Sequence, residues 1–154
     1  MSSGFHHVAF ACKDPEETRH FYEDLLGFPL IHTEIDGDET GGMKHLFFDL
    51  GDGSSMAFFY LEGDRAPSDY PTEISTGLGL PVWVNHVAFK ADSERKHQVR
   101  NSLSLAGLKP LMEVDHDWCQ SLYYLDPNGI MVEFCEDSPG IVPDRETALK
   151  RLQG

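Results

Sequence analysis

The tetrapeptide His-Val-Ala-Phe occurs twice in this chain, at residues 7–10 and again at residues 86–89. A sequence that restarts itself after this interval is constrained to build one supersecondary unit two times over. The text after each copy runs in parallel. In the first, alternation through residues 5–10 puts His7 and Ala9 on one face of a strand. Asp14-Pro15-Glu16-Glu17 then opens a helix: Asp caps it, Pro suits the first helical position, and Glu17 completes a capping box. Thr18, Phe21, Tyr22 and Leu25 recur at helical spacing as a buried stripe, and Gly27 provides a left-handed stop. Strands follow over 30–34, 44–50 and 56–61, the first two separated by an acidic, Gly-rich loop and the last entered through Asp52-Gly53. In the second copy, Asp92 opens a helix with Val99, Leu103 and Ala106 on one side, and Gly107 ends it. Strands are expected over 110–114, 121–125 and 130–135. Residues 7–27 and 86–107 differ by a single residue in length. The fold class is therefore α+β, with a β-α-β-β-β module used twice.

The 154 residues, 40% of them hydrophobic, suffice for one compact unit with a real core. A formal net charge of -14 excludes nucleic acid and anionic membranes as natural partners, since both require basic surface. Three cysteines, Cys12, Cys119 and Cys135, are an odd number without metal-type spacing, which suits a reduced, cytoplasmic setting. No signal peptide or apolar run of membrane-spanning length is visible, so a soluble protein is expected. The layout expected is one domain over 1–137, built of modules 5–61 and 85–135 with an inter-module loop 62–84, and an extension over 138–154. Most of that loop is rich in Gly, Pro, Ser and acids, and reads either as a plain linker or as a lid or interface arm. The extension carries a short helix from Asp144, with Leu149 and Leu152 available to dock.

His7 and His86 hold the same position in duplicated first strands, so a pseudo-twofold fold would bring them together. Glu133 is a charge inside an apolar strand, between Val132 and Phe134. Such a carboxylate is paired, hydrogen-bonded, solvent-facing or bound to a metal. Two imidazoles and one carboxylate form the facial set that holds Fe(II) and leaves positions open. The counterpart of Glu133 in the first module falls on Ala57 or Phe58, neither of which binds metal. His6 is expected to point away from His7, and His20 and His97 to be solvated on helices. His32, His45 and His116 lie on or beside strands and stay in consideration. Asp126-Pro127-Asn128-Gly129 reads as a turn joining the strands of Tyr123 and Glu133, so both residues can face one pocket.

From residue 5 to 136 the paired modules resemble the vicinal oxygen chelate superfamily, which includes glyoxalase I, fosfomycin and bleomycin resistance proteins and the extradiol ring-cleavage dioxygenases. Val114-Asp115-His116, then Leu122-Tyr123, Asp126-Pro127, Gly129 and Glu133 together are similar to the extradiol signature. That resemblance implies His7, His86 and Glu133 as ligands of Fe(II), with Mn, Zn, Ni or Co as other occupants. It implies His116 near the substrate and Tyr123 hydrogen-bonded to a catechol oxygen, with O2 and an aromatic diol as co-substrates. It further implies a homodimer, each site complete within one chain. The sequence departs from the pattern in length, many extradiol enzymes being about twice as long. It also departs at the proton-transfer histidine expected late in the first module, because no histidine lies between His45 and His86. His45 is then the candidate to reach the site from a neighbouring strand. The resemblance leaves two other functions open: a glyoxalase-like isomerase, epimerase or lyase using the metal as a Lewis acid, and a resistance-type protein that sequesters a small molecule without catalysis.

Overall fold

The computed structural model describes residues 4–154. Its first module comprises β1 (His7–Cys12), a helix α1 that runs as a regular turn over Pro15–Arg19 and widens to a π-helix over His20–Leu25, then β2 (Leu30–Gly37), β3 (Gly41–Asp49) and β4 (Ser55–Gly63). The second comprises β5 (His86–Lys90), α2 (Ser93–Leu105), β6 (Met112–Asp115), β7 (Cys119–Leu125) and β8 (Met131–Asp137), followed by α3 (Arg145–Gln153). Each module forms a four-stranded mixed sheet, ordered β1-β4-β3-β2 and β5-β8-β7-β6. The duplicated architecture legible in the sequence is thus the architecture observed. Among the described residues no helix is long and apolar enough to cross a membrane.

Local chemistry accounts for the element boundaries. Asp14 accepts from the backbone N–H groups of Glu16 and Glu17, and Asp92 from that of Arg95, each silencing N-terminal donors that a helix leaves free. Both helices stop at glycines in the left-handed region, Gly27 at φ 73° and Gly107 at φ 79°. The stripe on α1 differs from the expected one. Widening to π winding adds residues to the turn, so the side chain one turn beyond Phe21 and Tyr22 is Leu26, 1% exposed, and Leu25 sits at the margin. On α2, Val99 and Leu103 are buried while Ala106, beyond the last turn, is exposed.

Alternation divides each sheet into two faces. Phe10, Phe48, Met56 and Phe58 of the first module and Phe89, Leu122, Val132 and Phe134 of the second belong to one core, together with Phe21, Tyr22, Val99 and Leu103 from the helices. The modules therefore join through their helix-covered sides, with Phe28 and Phe89 rings 4.9 Å apart. The Ser102 hydroxyl donates to the carbonyl of Leu25 across the joint, and the Arg95 guanidinium to that of Leu26. The opposite faces stay open at β1 and β5, where His7, Ala9, His86 and Ala88 are exposed.

The Asp126–Gly129 turn is more than a reversal of the chain. Asp126 and Asn128 are buried. The Asp126 carboxylate accepts from the Tyr22 hydroxyl at 2.9 Å, from the backbone N–H groups of Asn128 and Ile130 at 2.8 Å, and from the Asn128 amide at 3.1 Å. Asn128 also donates to Thr18 and accepts from the backbone of Lys13, both in the first module. Gly129 has φ 75°, and a Cβ there would stand 2.5 Å from Glu73 Cγ. That contact and the Thr72 hydroxyl, which donates to the Asn128 carbonyl, strap the inter-module segment across the joint. Tyr70 adds a bond to the Cys12 carbonyl, and Thr76–Leu78 forms a 3-10 turn. The segment is an anchored strap here. α3 does not dock: Leu149 is 36% and Leu152 81% exposed, and no residue of the helix is buried.

Candidate metal centre

The two sheets can be superimposed strand for strand by their registers. In the second module Ala88 pairs with Glu133, and Glu133 with Tyr123. In the first, Ala9 pairs with Ala57, and Ala57 with Phe47. His86 thus corresponds to His7, Glu133 to Ala57, Tyr123 to Phe47, and Ser121 to His45. Of the two positions open from sequence, Ala57 is the counterpart of Glu133.

On the open face of the second sheet, His86 Nε2 lies 2.9 Å from Glu133 Oε2. His86 Nδ1 is 2.8 Å from the Trp83 carbonyl oxygen. A carbonyl only accepts, so Nδ1 carries a proton, and Nε2 either donates a second proton to the carboxylate or turns a lone pair toward it. Two acceptors facing each other require a cation between them, either a proton on the ring or a metal ion. A histidine fixed through Nδ1 by a backbone carbonyl is the usual posture of a ligating imidazole. The separation also suits an ion, since neighbouring ligands at about 2.1 Å from one metal stand about 3.0 Å apart. The second oxygen of Glu133, Oε1, accepts from the Ser121 hydroxyl. These residues fit a divalent cation.

Beside that pair, Tyr123 Oη lies 3.0 Å from His116 Nε2. Burial pushes the Tyr123 hydroxyl above its ordinary pKa; Ser121 opposes the rise and the Glu133 charge reinforces it. His7 lies on the other sheet, its Nδ1 2.8 Å from His6 Nδ1 and its ring 6.3 Å from that of His45. His6 meets His7 instead of pointing away because it precedes the strand, where alternation does not apply. His45 is 7% exposed, stacked on Phe59 at 3.7 Å, with Nδ1 3.2 Å from Glu34 Oε2 and a buried, unpartnered Nε2. His20 and His97 are exposed and engage their own helices, as expected.

The chain thus brings His86 to Glu133 and His116 to Tyr123, and sets His7 beside His45. Among the described residues, the group of ligating side chains with atoms within 4.8 Å of one another is Cys119, Glu133 and Cys135. His7 is outside it. Ser121 and the two thiols were missed in the sequence. Counting register outward from the Asp126–Ile130 closure sets Tyr123 opposite Glu133 and Ser121 opposite Cys135, so hairpin arithmetic could have found them.

The family model described as the Glyoxalase/Bleomycin resistance protein/Dioxygenase superfamily matches residues 4–134. The chain belongs to that superfamily. Among solved members of this fold, a glyoxylase/bleomycin resistance protein/dioxygenase domain from Frankia sp. EAN1pec is 20% identical. It has a TM-score of 0.67, covering 92% of this chain and 96% of its own. The fosfomycin resistance protein FosX from Listeria monocytogenes is 22% identical with a TM-score of 0.64, covering 90% and 97%. At such identities the likeness shows the fold alone. In sequence, the protein named "Putative ring-cleaving dioxygenase MhqA" from Bacillus subtilis is 29% identical over 136 residues, 84% of this chain. "Putative ring-cleaving dioxygenase MhqE" from the same organism is 35% identical over 65 residues, 40% of this chain. The chain spans only 38% and 21% of the lengths of these two relatives.

Proposed function

We propose that the chain is a divalent-metal-dependent enzyme acting on a small molecule through two neighbouring oxygens. The observation that carries the reading is the 2.9 Å approach of His86 Nε2 to Glu133 Oε2 beside the 3.0 Å Tyr123–His116 pair. His86 and Glu133 are two ligands and His7 the third. When bound, the ion supplies a Lewis acid that polarises a substrate oxygen and stabilises the negative charge developing there. The protein's own groups then handle protons: Tyr123 holds one toward substrate, and His116 receives or returns it. His45, oriented by Glu34, offers a further base from the first module. Because every group positioned here moves protons, glyoxalase-like isomerisation, epimerisation or elimination is the first reading. Ring cleavage of a catechol with O2 is the second, favoured by the match to the two Bacillus proteins. Fe(II) suits the second and Mn, Zn, Ni or Co the first. Oxygen uptake on adding a catechol panel to anaerobically Fe(II)-loaded protein decides between them, since the first reading consumes none.

A homodimer completes the ligand set. The modules join through their helix-covered sides and leave His7 and His86 on open faces, so a second copy supplies His7. This reading shares each site between two chains, where the resemblance implied one complete within a single chain. Mixing inactive His7→Ala and Glu133→Ala variants and allowing exchange is then expected to restore about a quarter of wild-type activity, half the dimers being hybrids with one intact site each. Sites confined to single chains would restore none.

Tyr123→Phe is expected to keep the ion, read by metal content, and to lose turnover by roughly 10²-fold, the usual scale of one proton-transfer group. Full turnover in that variant would assign Tyr123 to packing alone.

A further inference from the structure

Glu133 faces two ways. Its Oε2 meets His86, while Oε1 lies on the side of Ser121, whose hydroxyl is 3.7 Å from Cys119 Sγ. Cys119 is fully buried and Cys135 half-buried, and their sulfurs and a Glu133 oxygen lie within 4.8 Å of one another. Cys135 is the register partner of Ser121, and alternation puts both thiols on the same face of the sheet as Glu133. Two metal–sulfur bonds of about 2.3 Å at the tetrahedral angle put their sulfurs about 3.8 Å apart, a spacing inside the 4.8 Å spread of these atoms.

We infer that Cys119, Cys135 and Glu133 form a second, thiophilic cation site that competes with His86 for the one carboxylate. The inference rests on the reading of His86 and Glu133 as ligands. Two thiolates and a carboxylate suit Zn2+ or Cd2+, with the fourth tetrahedral position left to water. On binding, each thiol releases its proton to solvent, no electron is transferred, and the Ser121 hydroxyl gives up its bond to Oε1. Glu133 turned toward the sulfurs no longer completes the imidazole site. A soft ion in this position is therefore an inhibitor of the harder ion's chemistry.

The test uses the metal-free dimer with Cd2+ and Mn2+ as probes. One equivalent of Cd2+ is expected to give ultraviolet thiolate-to-cadmium charge-transfer absorbance, release about two protons per ion, and displace Mn2+ followed by its paramagnetic resonance. Cys119→Ser and Cys135→Ser should each lose the absorbance and retain Mn2+ binding, with thermal unfolding confirming an intact fold. His86→Ala should lose Mn2+ and retain the cadmium absorbance. Absorbance that survives in both serine variants, or its absence in a wild-type protein that binds Mn2+, overturns the inference. Wild-type protein that shows the absorbance but never binds Mn2+ leaves the thiol site standing and removes the imidazole site.

Discussion

Replacing Glu133 by Ala is expected to abolish stoichiometric Mn2+ or Fe(II) binding and to cut turnover by roughly 10³-fold or more, the scale of losing several kcal/mol of Lewis-acid stabilisation. The carboxylate is 6% exposed and both its oxygens are engaged. Its partners in the register are Ala88 and Tyr123, neither of which offers a second carboxylate. Glu133→Gln separates a ligand from a structural residue. Its amide oxygen can still accept from Ser121, and its NH2 can donate to the lone pair on His86 Nε2. This variant should therefore fold at least as well as wild type while losing the ion. Metal content by elemental analysis, beside a thermal melt, reads both quantities. Unchanged metal in a well-folded Glu133→Gln variant would remove the residue from the site, and with it the reading of the function.

The largest stability effect is expected away from the metal centre, at Asp126. Removing its carboxylate in Asp126→Ala leaves the Tyr22 hydroxyl and the Asn128 and Ile130 N–H groups without an acceptor in a buried place. Each orphaned group costs about 1–3 kcal/mol, so a total of roughly 3 kcal/mol or more is expected. For a chain of this size that lowers Tm by about 6–12 °C. Tyr22→Phe removes one bond of the set and should cost about 1 kcal/mol. Because the two residues share a bond, their effects should be less than additive in a double-mutant cycle. The pH dependence has a definite sign. Burial raises the Asp126 carboxyl above its ordinary range, against the opposing pull of the bonds from Ile130, Asn128 and Tyr22. The stabilisation linked to this raised pKa, separate from the hydrogen bonds counted above, is fully present below the unfolded pKa and is lost as pH rises through the raised folded value. Asp126→Asn should flatten that part of the stability curve, and an unaltered curve would show that another group causes it.

How much of this was legible in the sequence follows from the range of each interaction. The duplicated modules, both helix caps, the left-handed glycines and the strand alternation depend on residues a few positions apart, and the repeat made each reading twice. The pairing of Tyr123 with Glu133 was nearly as accessible, because a short turn fixes hairpin register. Other features lay beyond local pattern. The π winding that exchanges Leu25 for Leu26 left no mark in the spacing of the apolar residues. Asp126 and Asn128 read as turn residues because turn chemistry explains them, while their burial depends on Thr18 and Tyr22, more than a hundred positions away. The sequence determined that two equivalent histidines exist, on equivalent strands. Strand pairing within each sheet set His86 against Glu133 and His7 near His45, and only the tertiary structure decided which faces the modules join. Intramodule hydrogen bonds determine what each sheet presents, but the relative placement of two sheets follows from the shape of their apolar faces, which no periodicity records.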